Sequence, residues 1–360
     1  MSFDPAKPYD ALPPLPPGVD VETKAVLRQA VRATRALAEL KGAGGLIPDQ
    51  SILINAIPLQ EAKLSSEIEN IVTTQDALFR AALDETAVTD PQTKEVLRYR
   101  TALRRGYEAL RREKLSLGVV RQACATLRGA AVEFRGEDDA VYIGNRATGR
   151  VTYTPPRGGK MLRAKLRNLE AYLLAADGPD PLIRMAVAHY QFEAIHPFTD
   201  GNGRTGRILN VLYLLEAGLL DIPILYLSRF IIQNKADYYR KLRAVTEEGA
   251  WEPWVVYMLR GVEETSRWTI GRIQAIRTLL DATIERCRAE VPKVYSKELV
   301  ELIFRQPYCK IAFVVEAGLA ERKTASEYLQ ELERIGILSG EKIGRERVYR
   351  HPALVKALSA

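Results

Sequence analysis

Residues 196–207 read His-Pro-Phe-Thr-Asp-Gly-Asn-Gly-Arg-Thr-Gly-Arg. The stretch separates two segments, 181–193 and 207–217, whose apolar residues recur at helical spacing. A proline and closely spaced glycines forbid one helix from running through both. The fold must therefore set a helix, a tight turn and a second helix around these side chains. His196 has a near-neutral ordinary pKa and can take a proton from an attacking hydroxyl. Asp200 is a hard oxygen ligand of the kind Mg²⁺ takes beside phosphate oxygens. It also stands where a helix N-cap would stand, and the two roles are compatible. Gly201-Asn202-Gly203 lets backbone amides converge on an oxyanion at a helix N-terminus, with the Asn202 amide as a further donor. Arg204 and Arg207 share a helix face. Two cations there oppose the helix dipole, and a polyphosphate would reverse that cost by giving both bidentate partners. Together these residues point to a site that holds a nucleotide and moves a proton beside it.

The rest of the chain sets the frame. Of its 360 residues 47% are hydrophobic and 27% charged, which suits a globular protein of two or three domains. No run of about eighteen apolar residues occurs, and the first residues lack the pattern of a secretory signal. Cys124, Cys287 and Cys309 are far apart and in no metal-ligand spacing. A reducing, cytoplasmic setting is expected, with buried thiols and no membrane partner. The formal charge of +7 suits a nucleotide or a nucleic acid without singling out either.

Six prolines within 1–20 predict an extended arm, lying over the first domain or free. An N-terminal helical region is expected over 21–110. It comprises a helix from 21 to about 40, another starting at Pro58 and running through 72, and part of a helix pair across 90–127. Strand-like composition at 132–135, 140–143 and 151–154 predicts a short hairpin within a helical core spanning 111–290. Residues 291–360 read as three short helices and a glycine-turned strand pair, the pattern of a winged helix-turn-helix. The expected fold class is mainly α.

The 196–207 string resembles the Fic family motif His-Pro-Phe-x-(Asp/Glu)-Gly-Asn-Gly-Arg-x-x-Arg at every defined position. The resemblance implies a Fic-type helical bundle and transfer of AMP from ATP to a Ser, Thr or Tyr hydroxyl of a target protein. It implies His196 as the base and Asp200 as the Mg²⁺ ligand. It also implies that Gly201, Asn202, Gly203, Arg204, Thr205, Gly206 and Arg207 hold the phosphates. The related Doc-type kinases carry Ala-Asn-Lys-Arg where this chain has Gly-Asn-Gly-Arg, which argues against simple phosphorylation. Residues 65–70, Ser-Ser-Glu-Ile-Glu-Asn, resemble the family's inhibitory helix, (Ser/Thr)-x-x-x-Glu-(Gly/Asn). On that resemblance Ser65, Glu69 and Asn70 form the inhibitory segment, and Glu69 pairs with Arg207 in cis and displaces the γ-phosphate. The hairpin at 141–155 resembles the flap that holds a target peptide by strand addition. Tyr238-Tyr239 resembles a pair lying by the adenine, where a phenol ring can stack on a base. Removal of AMP at the same site, with Glu69 positioning a water, is an alternative direction.

A different class of function starts from residues 291–360. The helix at 321–335 opens with Arg322 and Lys323 but carries Glu321, Glu327, Glu331 and Glu333. Lys342, Arg345, Arg347 and Arg350 are better placed for phosphate contact. This offers a DNA-binding regulator as the alternative, with protein docking or homodimerisation favoured over DNA. His189 reads as structural, and His351 stands at the end of the presumed wing.

Overall fold

The computed structural model describes residues 3–83, 88–145, 148–343 and 346–359. Helices dominate. The N-terminal part runs α1 (Lys24–Gly44), α2 (Ser51–Ile68), α3 (Gln75–Ala81), α4 (Pro91–Leu110) and α5 (Leu117–Arg128). A hairpin of β1 (Ile143–Asn145) and β2 (Arg150–Tyr153) follows. Next come α6 (Lys160–Leu174), α7 (Pro181–Ile195), α8 (Asn202–Glu216), α9 (Leu227–Gln233), α10 (Lys235–Glu248) and the forty-residue α11 (Trp251–Glu290). The C-terminal part holds α12 (Lys297–Phe304), β3 (Tyr308–Lys310), α13 (Ile311–Glu316), α14 (Arg322–Arg334), β4 (Ser339–Ile343), β5 (Glu346–Arg350) and α15 (Pro352–Ser359).

Local chemistry explains the helix starts. Thr23, Thr74, Asp90, Ser116, Asp180 and Ser296 each accept a hydrogen bond from a first-turn amide of the helix that follows. Such caps stabilise a helix by about 1 kcal/mol each. Packing does the rest. The apolar stripe of α1, with Val26, Ala33, Leu37 and Leu40 wholly buried, lies along α11. Burying a leucine there contributes about 2 kcal/mol. Helix α11 then continues out of the bundle and carries the C-terminal part against its far end through α12 and α15. In that part β3, β5 and β4 form an antiparallel sheet in that spatial order.

Several expectations change. Pro58 lies inside α2, not at its start, because the helix begins at Ser51. Ile52, Leu53, Ala56 and Ile57 are buried at helical spacing, and their burial outweighs the bond that proline cannot donate. The same helix ends at Ile68, leaving Val72 exposed. Asn70 adopts a left-handed φ of 63° there, a conformation asparagine tolerates. Residues 132–135 form no strand; the backbone there is fixed by Arg135 instead.

The proline-rich arm packs on the core against α6 and α7. Leu12 and Leu15 are buried, Asn168 bonds both backbone groups of Leu15, and Gln191 donates to the Pro13 carbonyl. The short elements α3, α9, β3 and α15 were not legible in the pattern. The three cysteines are buried and unpaired. Among the described residues no helix is long and apolar enough to cross a membrane.

Candidate active site

The site is built where α7 hands over to α8. Pro197 prevents α7 from continuing, and His196 caps it in a left-handed conformation, φ 50°. That conformation is strained for a non-glycine residue, so something must hold it. Arg135, only 2% exposed, does so: its Nε donates to the His196 carbonyl at 2.7 Å, and Nη2 donates to the carbonyls of Ile195 at 3.1 Å and Pro156 at 2.8 Å. A guanidinium at a helix C-terminus also complements the dipole. Burial, and then the charge of Arg135, pull the His196 imidazole down to about 4. The ring is therefore neutral at physiological pH, the form that can accept a proton. Its Nδ1 is buried without a hydrogen-bond partner.

The turn itself is internally bonded. Asn202 is buried and grips Phe198 twice, accepting from its amide and donating to its carbonyl, both at 2.8 Å. Its side chain thus shapes the loop through one of its two amide hydrogens and its oxygen. Gly201 takes φ 83°, and Thr205 Oγ1 donates back to the Gly201 carbonyl. No side chain caps the N-terminus of α8, so its first amides are offered to an anion. Gly206 lets α7 and α8 approach, since a Cβ there would meet the Glu193 carboxylate and the Phe192 ring.

Both arginines of the turn are buried against acids from the N-terminal helices. Arg204 Nη1 donates to Glu95 at 2.6 Å, while its buried Nε has no partner. Arg207 donates to the Ser65 hydroxyl, the Ser65 carbonyl and Glu69 Oε1, each at 2.8 Å. Burial alone would raise the Glu69 carboxyl. The charge and hydrogen bond of Arg207, with Arg204 and Lys235, outweigh it and hold the group below its ordinary range. Glu69 keeps 34% of its side chain exposed, so it lies at the mouth of the site. A Cβ on Gly203 would run into this same carboxylate. Glu69 thus covers the glycine turn as an anion would.

Asp200 is exposed and holds its own loop, accepting from the Gly201 amide at 2.6 Å and pairing with Arg128. Among the described residues no three-residue cluster of His, Cys, Asp or Glu could cage a metal. A single hard carboxylate beside a phosphate turn still fits Mg²⁺, which keeps waters and takes its other oxygens from the nucleotide. Arg128 would have to give way.

A cavity of about 480 Å³ opens between the hairpin and α10, walled by Tyr153, Tyr190 and Tyr239 with Glu193 beneath. Tyr239 is 44% exposed and can offer a ring face there. Tyr238 cannot. It is buried under Trp254, and its hydroxyl bonds His189 Nε2 at 2.8 Å. Burial lowers His189 to about 3, a neutral structural imidazole as expected. The hairpin pairs Ile143 with Tyr153 and Gly144 with Val151, and Tyr153 anchors it by donating to the Ala194 carbonyl at 2.8 Å. Its tip, 146–147, lies outside the described residues.

Three residues at this site escaped the sequence reading: Arg135, Glu95 and Glu193. Glu193 sits one helical turn before His196, and burial raises its carboxyl to about 7. In the C-terminal part Arg347 is paired with Glu333 at 2.7 Å, which weakens its candidacy for DNA phosphate. Gly344 and Arg345 lie outside the described residues.

Comparison with known proteins agrees with this architecture. Residues 27–108 match the Fic/DOC family N-terminal model, and residues 116–214 match the Fic/DOC family model. Residues 279–354 match the C-terminal domain of the protein adenylyltransferase SoFic-like type. The chain belongs to the Fic/DOC family. It is 37% identical over 95 residues to protein adenylyltransferase fic-1 of Caenorhabditis elegans, 26% of this chain and 17% of that one. It is 34% identical over 113 residues to protein adenylyltransferase Fic of Nematostella vectensis, 31% of this chain and 25% of that one. The chain therefore spans a quarter or less of the length of these relatives. In fold it is similar to a Fic family protein from Desulfovibrio desulfuricans G20, with TM-score 0.58 and 21% identity over 93% of this chain and 98% of that one. A Fic domain containing signaling protein from Bacteroides thetaiotaomicron VPI-5482 gives TM-score 0.53 at 18% identity, over 68% of this chain and 97% of that one.

Proposed function

We propose that the chain transfers AMP from ATP to a hydroxyl side chain of a target protein, and that Glu69 restrains this activity in cis. The observation that carries the reading is the Glu69 carboxylate over Gly203, bonded to Arg207 at 2.8 Å. An anion already lies on the phosphate turn, beside an imidazole that is neutral at physiological pH.

In the proposed reaction the phosphates lie along α8 and against Arg204 and Arg207. The target segment adds as a strand to the hairpin, which brings its Ser, Thr or Tyr hydroxyl toward His196. His196 takes the hydroxyl proton as the oxygen bonds the α-phosphorus. The bond from that phosphorus to the α–β bridging oxygen breaks, and pyrophosphate leaves with the electron pair. Arg204 and Arg207 stabilise the leaving charge, and the protein acts mainly by position and electrostatics. Mg²⁺ held by Asp200 and phosphate oxygens supplies further charge neutralisation when bound. Tyr239 is the residue placed to stack on the base.

The test uses ATP labelled at the α or the γ phosphorus, incubated with the Glu69→Gly chain and a cell lysate. Protein label from the α position alone, lost in the Glu69→Gly/His196→Ala double variant, supports the reading. Label from the γ position would make the chain a kinase, and label surviving the double variant would remove His196 from the mechanism.

A further inference from the structure

The segment from Asp49 to Arg80, which includes α2, Ser65, Glu69 and α3, is gripped at both ends by the C-terminal part of the chain. Ahead of α2, Asp49 accepts from Arg305 Nε at 2.8 Å. Beyond Glu69, Asp76 of α3 accepts from the Tyr308 hydroxyl, and Arg80 pairs with Glu341 of β4 at 3.0 Å. Between these two grips the surfaces do not close. They leave a cavity of about 490 Å³ lined by α2 and α4 on one side and by α12 and α13 on the other. Its volume lies within the range of small-molecule sites.

Cations outnumber carboxylates in its lining. Arg100, Arg104 and Arg305 line it, against one lining carboxylate, Glu316. Arg305 is engaged with Asp49 and Arg100 is engaged as well, while Arg104 makes a 3.6 Å pair with Glu108 in which both side chains are more than half exposed. Exposed pairs of that kind contribute about 0–1 kcal/mol, so an incoming anion can displace Glu108 at little cost. Phe313 and Pro58 supply apolar wall, and Asn55 a polar contact. Arg100 and Arg104 stand one turn apart on α4 and Arg305 closes α12, so guanidinium groups line the cavity from two elements, which suits an organic anion with more than one carboxylate or phosphate group.

The cavity also abuts the weak point of α2. Pro58 has no amide hydrogen, so the Ile54 carbonyl one turn earlier lacks its helical donor. Both residues line the cavity. A helix lacking a bond is easiest to bend there, and bending at Pro58 swings Ser65 and Glu69 relative to Arg207. The cavity has its present shape while Glu69 is bonded to Arg207. A ligand that fits this shape favours this state over one in which α2 has moved.

We propose that the seam between α2 and the C-terminal part is a binding site for a small organic polyanion, and that its occupancy holds α2 in the Glu69-engaged position. The coupling half rests on the restraint by Glu69 proposed above; the site itself does not.

The test is calorimetric titration of the full chain with citrate in Mg²⁺-free buffer, for wild type, Arg104→Gln and the cavity-filling Asn55→Phe. Each variant is first checked for a wild-type circular-dichroism melt. Wild type binds citrate, and both variants bind at least about tenfold more weakly, Arg104→Gln through the loss of one charge-assisted contact and Asn55→Phe through loss of the space the ligand needs. Binding absent from wild type, or equal in all three proteins, overturns the site. In the same buffer citrate lowers the affinity of wild type for a non-hydrolysable ATP analogue by roughly fivefold, the lower end of ordinary coupling. It leaves that of Glu69→Gly unchanged. An unchanged wild-type affinity overturns the coupling. If the Glu69 restraint is itself wrong, Glu69→Gly binds the analogue like wild type while citrate binding still depends on Arg104, so the two failures are distinguishable.

Discussion

From Phe198 to Thr205 the loop is bonded within itself: Asn202 bonds Phe198, Thr205 bonds Gly201, and Asp200 bonds the Gly201 amide. The α2 segment is held in the opposite way. Its anchors all come from distant chain: Arg207 on Ser65 and Glu69, Lys235 on the Ile68 carbonyl at 2.6 Å, and Ser228 and Tyr99 on the buried Glu61. The local bonds hold the loop from Phe198 to Thr205 without help from α2, and the strained His196 leans on Arg135, which also lies outside α2. A segment fastened by cross-chain contacts can be released as a unit, while the turn it covers stays formed. In the proposed reaction, rigidity would belong to the loop that positions phosphate and proton, and releasability to the segment that covers it.

The largest effect that tests this contrast is at the proposed base, His196. His196→Ala should cut transfer by about 10²–10⁴-fold while leaving the melting temperature nearly unchanged, read by labelled-ATP transfer and calorimetry. A large stability loss instead would make the ring part of the scaffold. Next, Arg135→Met removes the donors that hold the strained His196. It should lower stability by about 2–3 kcal/mol and reduce kcat more than it raises KM for ATP. An isolated rise in KM would mean that Arg135 does not orient the base.

Smaller effects come from titration. Burial raises Glu193 to about 7. A carboxyl raised on folding contributes most below the ordinary carboxylate range, and its contribution is lost as pH rises through about 7. Glu193→Gln should therefore raise the melting temperature by a few degrees at pH 8 and leave it unchanged at pH 5. Equal shifts at both pH values would contradict the burial argument. The His196 ring, lowered to about 4, should show no NMR titration between pH 8 and 5.5. A midpoint near the ordinary histidine value would place it in open solvent.

The same contrast decides what could be read from the sequence. The turn was legible because its chemistry is contiguous: the base, the glycine turn and both arginines fall within twelve residues. Helices with a continuous apolar stripe, such as α1 and α11, were legible for a related reason. Pairings across the chain were not. No local pattern joins Arg204 to Glu95, or Arg135 to His196, because each bond spans tens of residues. The one such contact anticipated, Glu69 with Arg207, came from family resemblance. Tyr238 and Tyr239 are adjacent in sequence yet lie on opposite sides of the cavity wall, since neighbours on a helix point about 100° apart. The start of α2 was misplaced because a proline is a good first helical residue. Here buried Ile52, Leu53, Ala56 and Ile57 carry the helix through it.

The central claim is that a releasable carboxylate covers a turn that is already formed. The direct measurement is the initial rate of protein labelling from α-labelled ATP by wild type and by Glu69→Gly, at matched melting temperature. The account predicts a gain on the order of tenfold or more in the variant, since removing the carboxylate frees Arg207 for phosphate without disturbing the Asn202–Phe198 scaffold. Equal rates in the two proteins would contradict it.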